Sequence, residues 1–208
     1  MDIGTLSFYD ENAERLSALY ECADMSHFYK TVDDLLHGEG CVLDIGCGDG
    51  RDIRALGCRG YDVCGCDACK GMVKCAQTKD LSHACRYVVK SFPVVESDDI
   101  LQQRFDLVYS HAMIMHLSGA DLGKALCQMC DIVKDGKYLI LSWCNRQSTD
   151  GRVYHTINAA EVEQQLIAND LCVIGRSEDT DSLGRQVKWS NIILQKKGNR
   201  YAENRRFS

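Results

Sequence analysis

The sequence predicts an α/β fold: a seven-stranded, mostly parallel sheet with an antiparallel last strand and helices on both faces. Three features carry that expectation. Five short apolar runs alternate with stretches long enough for crossover helices. After the fifth run the rhythm changes to one helix and two runs that can pair with each other. In "VLDIGCGDGRD", residues 42–52, the first run breaks into three closely spaced glycines and resumes as something charged and helical.

In chain order, helical periodicity covers residues 12–20 and 25–36, the second stretch stopping at His37-Gly38 as a helix should. Residues 41–45, 61–66, 87–89, 105–110 and 138–143 read as the five parallel strands. A helix over 159–169 follows, then runs 171–176 and 190–195, expected as an antiparallel hairpin at the sheet edge joined by the polar loop "SEDTDSLGRQVKW". No repeat or long linker interrupts the pattern. One domain over 1–208 is expected, with 1–38 as an N-terminal helical lid and 196–208 as a polar tail.

Composition narrows the function classes. Hydrophobic residues at 45% and charged residues at 26% are the balance of a globular chain, not of a disordered or membrane one. No apolar run approaches the roughly 20 residues of a membrane span, and "MDIGTLSFYDENAERL" lacks the parts of a signal peptide, so a soluble cytoplasmic protein is expected. The net charge of -6 opposes a phosphate backbone and disfavours nucleic acid as partner; the one basic patch, "KKGNRYAENRRFS", reads as a solvated end. Thirteen cysteines, an odd number lying mostly in apolar runs, read as reduced thiols. Neither Cys64, Cys66 and Cys69 nor the pair Cys127 and Cys130 completes four ligands at zinc spacing, so no metal is expected. A monomer or homodimer is anticipated.

A strand that ends in closely spaced glycines and enters a helix lets its backbone approach a ligand. The spacing here is GxGxG at Gly46, Gly48 and Gly50, preceded by Asp44, rather than the GxGxxG of dinucleotide sites, which disfavours a nicotinamide oxidoreductase. The second strand ends in Asp67, where a carboxylate can accept from both hydroxyls of a ribose or serve a helix start as its cap. Together these residues suggest a nucleoside site at the carboxyl edge of a parallel sheet.

"VLDIGCGDGRD", "GYDVCGCDACKGMVKCA", "FDLVYSHAMIMHL" and "VKDGKYLILSW" resemble, in order and spacing, the motifs of class I S-adenosylmethionine-dependent methyltransferases over about residues 41–143. More loosely, "FYDENAERL", "GCGDGRD" and "GRVYHTINAAEVEQQL" with "KWSNIILQKK" look like a bacterial group of small methyltransferases often placed with tellurite-resistance methyltransferases. The resemblance implies a Rossmann-like sheet and S-adenosyl-L-methionine as cofactor. It places Asp44 and the backbone through Gly46, Cys47 and Gly48 on the methionine part, Asp67 on the ribose hydroxyls, and Ala68 and Met72 beside the adenine. Where the family has an acid after the third strand, "YVVKSFPVV" offers Ser91 or a backbone group for the adenine amino group and Phe92 to pack on its ring.

Ser110, His111, Met113 and His116 follow the fourth strand, which in this fold lies beside the methyl group. His111 is the candidate base by its chemistry, while His116 fits a packed histidine better; Ser110 is counted with the cofactor contacts. Arg51 opens the helix and can reach a carboxylate of cofactor or acceptor. Arg152 and Tyr154, counted with His111 as catalytic candidates, rim the acceptor pocket, and Arg185, Lys188 and Trp189 belong to the final hairpin. Three cations, Arg152, Arg185 and Lys188, near one mouth would suit an anionic acceptor. Tyr9 and Tyr20 could close over the cofactor. The function expected is methyl transfer to a small, anionic molecule; the alternatives are an RNA or protein methyltransferase, although the fourth-strand end "YSHAM" is not an "NPPY"-type motif, and a non-catalytic cofactor-binding module.

Overall fold

The computed structural model describes residues 1–198, so most of the polar tail expected over 196–208 lies outside the described residues. Three helices come first: α1 (Ile3–Glu11), α2 (Ala13–Tyr20) and α3 (Ser26–Leu36). Then follow β1 (Cys41–Ile45), α4 (Arg51–Gly57), β2 (Asp62–Asp67), α5 (Lys70–Lys79), β3 (Tyr87–Val89), β4 (Phe105–His111), α6 (Gly119–Ile132), β5 (Val133–Trp143), α7 (Ala159–Ala168), β6 (Leu171–Thr180) and β7 (Lys188–Lys196). The sheet order is β3-β2-β1-β4-β5-β7-β6, parallel through β5, with β7 antiparallel to both its neighbours.

Alternation along the strands divides the core in two. Leu43, Ile45, Val108, Leu139 and Leu141 face α6 and α7, whereas Val42, Leu107, Tyr109 and Ile140 face α3, α4 and α5. The central strands β1 and β4 are buried on both sides, as a sheet covered on both faces requires, and each fully buried Leu or Ile contributes about 1.5–3 kcal/mol. The chain leaves β1 outward through β2 and β3, then returns to β4 on the other side of β1. This reversal of strand order opens a crevice beyond the carboxyl ends of β1 and β4.

Two expectations need correction. Helix α1 was not anticipated: it buries only Thr5, and specific polar contacts hold it instead of an apolar stripe. Strand β5 begins at Val133, not Tyr138, its extra length lying across an irregular register with β4. The final hairpin forms at the sheet edge as expected, its second strand beside β5 and β6 outermost. Among the described residues no helix is long and apolar enough to cross a membrane.

Candidate functional site

The crevice holds a cavity of about 350 Å³ walled by the ends of β1, β2, β4 and β5, by the N-terminal helices and by the β6–β7 hairpin. Its floor is the glycine turn. The amides of Gly46 and Cys47 donate to the Cys66 carbonyl at 2.8 and 3.0 Å, tying the turn to β2. Those donors are thus spent within the chain, and what the turn offers a ligand is close approach. Gly46 (φ 89°) shows why: a Cβ there would sit 2.7 Å from the Met113 Cβ in a backbone region that side chains resist.

Two carboxyls flank the turn. Asp44, 3% exposed, lines the cavity; burial, with Asp52 nearby, pushes its carboxyl well above the usual range. The Tyr109 hydroxyl is buried near Asp44 and has no partner among the described residues. Two buried polar groups this poorly satisfied fit a ligand that brings an ammonium or hydroxyl. Asp67 accepts from the Gly48 amide through Oδ2 at 2.9 Å and from the Cys69 amide through Oδ1 at 2.8 Å. Burial pushes its carboxyl up, against those two hydrogen bonds. It does not cap α5; Cys69 holds that position, its Sγ accepting from the Met72 amide. Each Asp67 oxygen keeps a lone pair for a further donor.

Cys47, Gly48, Arg51 and Met72 also line the main cavity. Ala68, Ser91 and Phe92 line a second one beside Asp67, with Lys90 and Met113. At about 20 Å³ it has room for about one water, so an aromatic ring entering there must displace a side chain; Met1 stands where the two cavities meet. Ser110 does not face either cavity. Fully buried, it donates to the Ile45 carbonyl at 2.7 Å and stitches β4 to β1, which removes it from the expected cofactor contacts.

The cations depart furthest from expectation. Arg51 reaches a carboxylate, but that of its neighbour: Nε and Nη2 donate to Asp52 at 2.8 and 3.0 Å, and Nη1 donates to the Tyr20 carbonyl. Arg152 is 7% exposed, paired bidentately with Asp150 and caged by the rings of Phe8, Tyr9 and Tyr154. Arg185 is held by Asp181, which also accepts from the Trp189 indole and is held down to about 2, burial opposing and the Arg185 hydrogen bond prevailing. Lys188 is exposed and absent from the cavity wall. Arg146, stacked 5.0 Å over the Tyr154 ring, lines the cavity with no carboxylate partner among the described residues.

The N-terminal helices are stitched over this cavity. Arg152 Nη1 donates to the Tyr9 oxygen at 3.1 Å, and His116 contacts the Tyr9 hydroxyl through Nε2 at 3.1 Å and the Val153 carbonyl through Nδ1 at 2.7 Å. The carbonyl can only accept, so Nδ1 carries the proton and Nε2 accepts from Tyr9. Burial pushes His116 down to about 4, which keeps it neutral for that role. The Thr5 hydroxyl accepts from the Val153 amide, Ser17 donates to Asp49 in the glycine turn at 2.8 Å, and Asp10 accepts from the Gly71 amide at the start of α5.

His111 also lines the cavity. Its Nδ1 lies 3.5 Å from Oδ2 of Asp52, and Phe28 packs edge-on against its ring at 4.3 Å. Asp52, 5% exposed, also accepts from the Tyr29 hydroxyl at 2.7 Å. Burial alone would raise its carboxyl; His111 and the Arg51 guanidinium hold it well below the usual range. Asp52, Tyr29, Phe28 and Arg146 were missed from the sequence. Only Asp52 had a signal, its place beside Arg51 in the glycine stretch. Among the described residues no cluster of three His, Cys, Asp or Glu is arranged for a metal, and all thirteen cysteines are free.

Residues 42–136 match the family described as Methyltransferase domain. Over 141 residues, 65% of the chain, the sequence is 33% identical to a protein of Encephalitozoon cuniculi that carries a methyltransferase name. Over 105 residues, 50% of the chain, it is 30% identical to the ubiquinone biosynthesis O-methyltransferase of Alkalilimnicola ehrlichii. The chain spans 60% and 42% of the length of these two relatives. In fold it is similar to the 1,6-didemethyltoxoflavin-N1-methyltransferase of Burkholderia thailandensis, solved with 1,6-didemethyltoxoflavin and S-adenosylhomocysteine, with a TM-score of 0.74 over 92% of this chain and 87% of that one at 14% identity.

Proposed function

We propose that this chain, whose residues 42–136 match a methyltransferase domain, is a class I S-adenosylmethionine-dependent enzyme that transfers a methyl group from that cofactor to a small-molecule acceptor. The observation that carries this reading is the convergence of Asp44, the glycine turn and Asp67 on one cavity at the switch point of the sheet. When bound, the cofactor supplies an electrophilic methyl on a positively charged sulfur. Asp44 accepts from its ammonium, a role that relieves a buried carboxyl beside which the Tyr109 hydroxyl stands. Asp67 accepts from the ribose hydroxyls with the lone pairs that Gly48 and Cys69 leave. Met72, Ala68, Ser91 and Phe92 take the adenine side.

The chain's remaining work is positioning and exclusion of water, for which α1, α2 and α3 act as a lid over the cavity. Alignment of the reacting atoms can supply about 7–11 kcal/mol of the barrier in favourable cases. The acceptor occupies the half bounded by Phe28, His111, Ile140, Tyr154 and Ile193. Because Arg152 and Arg185 are neutralised by Asp150 and Asp181, Arg146 is the seat for a single anionic or hydrogen-bond-accepting group on that molecule. The protein works as one domain, a monomer or homodimer in the cytoplasm, where its thirteen free thiols stay reduced; its acidic charge keeps nucleic acid from serving as acceptor.

Incubation of the protein with methyl-labelled S-adenosylmethionine and a fractionated cell extract tests the reading. Label is expected in the small-molecule fraction. Label confined to RNA or protein contradicts it.

A further inference from the structure

The pair formed by His111 and Asp52 has no part in holding a nucleoside, yet it is built with care. Asp52 is buried at the first turn of α4 and receives Arg51 on both oxygens and Tyr29 on Oδ1, so its carboxylate is fixed and charged. Its Oδ2 faces Nδ1 of His111 across 3.5 Å. That Nδ1 is buried and has no hydrogen-bond partner among the described residues, while the ring lines the cavity and keeps 18% exposure. A carboxylate only accepts, so it selects the tautomer with the proton on Nδ1 and leaves the Nε2 lone pair for the cavity. Phe28 against one edge of the ring and Tyr109 at 5.3 Å restrict its rotation.

We propose that Asp52 is a positioning residue that holds His111 as a general base, and that the acceptor is therefore a molecule whose reacting atom bears a weakly acidic O–H or N–H. This deepens the methyl-transfer reading and rests on it. In the step, the His111 Nε2 lone pair forms a bond to the acceptor's proton, and the electrons of the O–H or N–H bond stay on the acceptor atom, which becomes the nucleophile. The resulting imidazolium is balanced by Asp52, which Arg51 and Tyr29 keep ionised; Asp24, Asp44, Asp49, Asp67, Asp179 and Asp181 are the other acids of the same cavity wall. The apo distance is long for a hydrogen bond, as catalytic contacts often are before substrate arrives. The ring of Phe28 against His111, with Ile140 and Ile193 in the same cavity wall, suits an aromatic or conjugated body for such an acceptor.

Nitrogen-15 NMR of the histidine side chains in the ligand-free protein reads the pair without turnover. Neutral His111 is expected as the Nδ1–H tautomer in the wild type, and D52N should lose that preference. In parallel, D52N and H111N should still bind S-adenosylhomocysteine but lose about 100-fold or more in kcat, within the range for a general base. A wild-type His111 with its proton on Nε2 overturns the proposal and needs no variant to fold. A D52N protein with unchanged kcat also overturns it. Either result leaves the cofactor reading standing, whereas loss of S-adenosylhomocysteine binding by the wild type defeats that reading instead.

Discussion

The Gly48 amide donates to Oδ2 of Asp67 at 2.9 Å across 19 positions of sequence, joining the glycine turn after β1 to the end of β2. One carboxylate therefore shapes the turn and faces the cavity that the turn floors. Asp67→Ala is expected to weaken S-adenosylhomocysteine binding by about 1–3 kcal/mol, the cost of leaving hydrogen-bonding groups unpaired. Calorimetric titration of the variant checks this, and an unchanged dissociation constant would remove Asp67 from the site.

Asp44 yields a pH dependence. Burial holds its carboxyl well above the ordinary range, so in the free protein it takes up a proton at a higher pH than an exposed aspartate does. An ammonium beside it favours the ionised form, and cofactor binding must release that proton. Affinity for S-adenosylhomocysteine should therefore fall as the pH is lowered, and Asp44→Asn should bind weakly with a flatter pH dependence. Equal slopes for the two proteins would argue against Asp44 as the ammonium's partner.

Tyr9 joins the N-terminal helix to the loop after β5. Tyr9→Phe leaves Arg152 Nη1 and His116 Nε2 without their shared oxygen, which should cost about 1–3 kcal/mol of stability and expose α1 to protease. Urea denaturation and limited proteolysis read the two effects. Wild-type resistance in both would mean that the contact does not hold the helix in place.

His116 sets an acid limit on the fold. Its folded value of about 4 lies below the ordinary 6.5, so the unfolded chain binds a proton there that the native protein does not. Above 6.5 both states are neutral and His116 has no effect; between 6.5 and 4 stability is lost as the pH falls, by an amount on the order of 2–3 kcal/mol. The melting temperature of the wild type should drop over that window. A His116→Gln variant, which removes the titrating group, should start lower but lose less with acid. Parallel curves for the two proteins would place the acid sensitivity elsewhere.

The parallel strands and the glycine turn were legible because their signals are local. Runs 41–45 and 87–89 coincide with β1 and β3, and the GxGxG spacing marks positions such as Gly46 where no side chain fits. Helix α1 was not legible, since its hold on the fold runs through Thr5, Tyr9 and Asp10 to partners distant in sequence. The charge around the cavity was misjudged for a related reason. Counting Arg152, Arg185 and Lys188 as free cations ignored Asp150 and Asp181, which stand beside the arginines and neutralise them at short range. Asp52 is the same lesson reversed: adjacent to Arg51 in the chain, it gains its meaning only when β4 brings His111 to it.

The central claim is that the glycine turn and its two carboxyls hold S-adenosylmethionine. Calorimetric titration of the purified protein with S-adenosylhomocysteine, and with NAD in parallel, tests it most directly. Micromolar binding of the first and none of the second is predicted. Binding of NAD instead, or of neither, would contradict the account and leave the turn as a structural feature of the sheet.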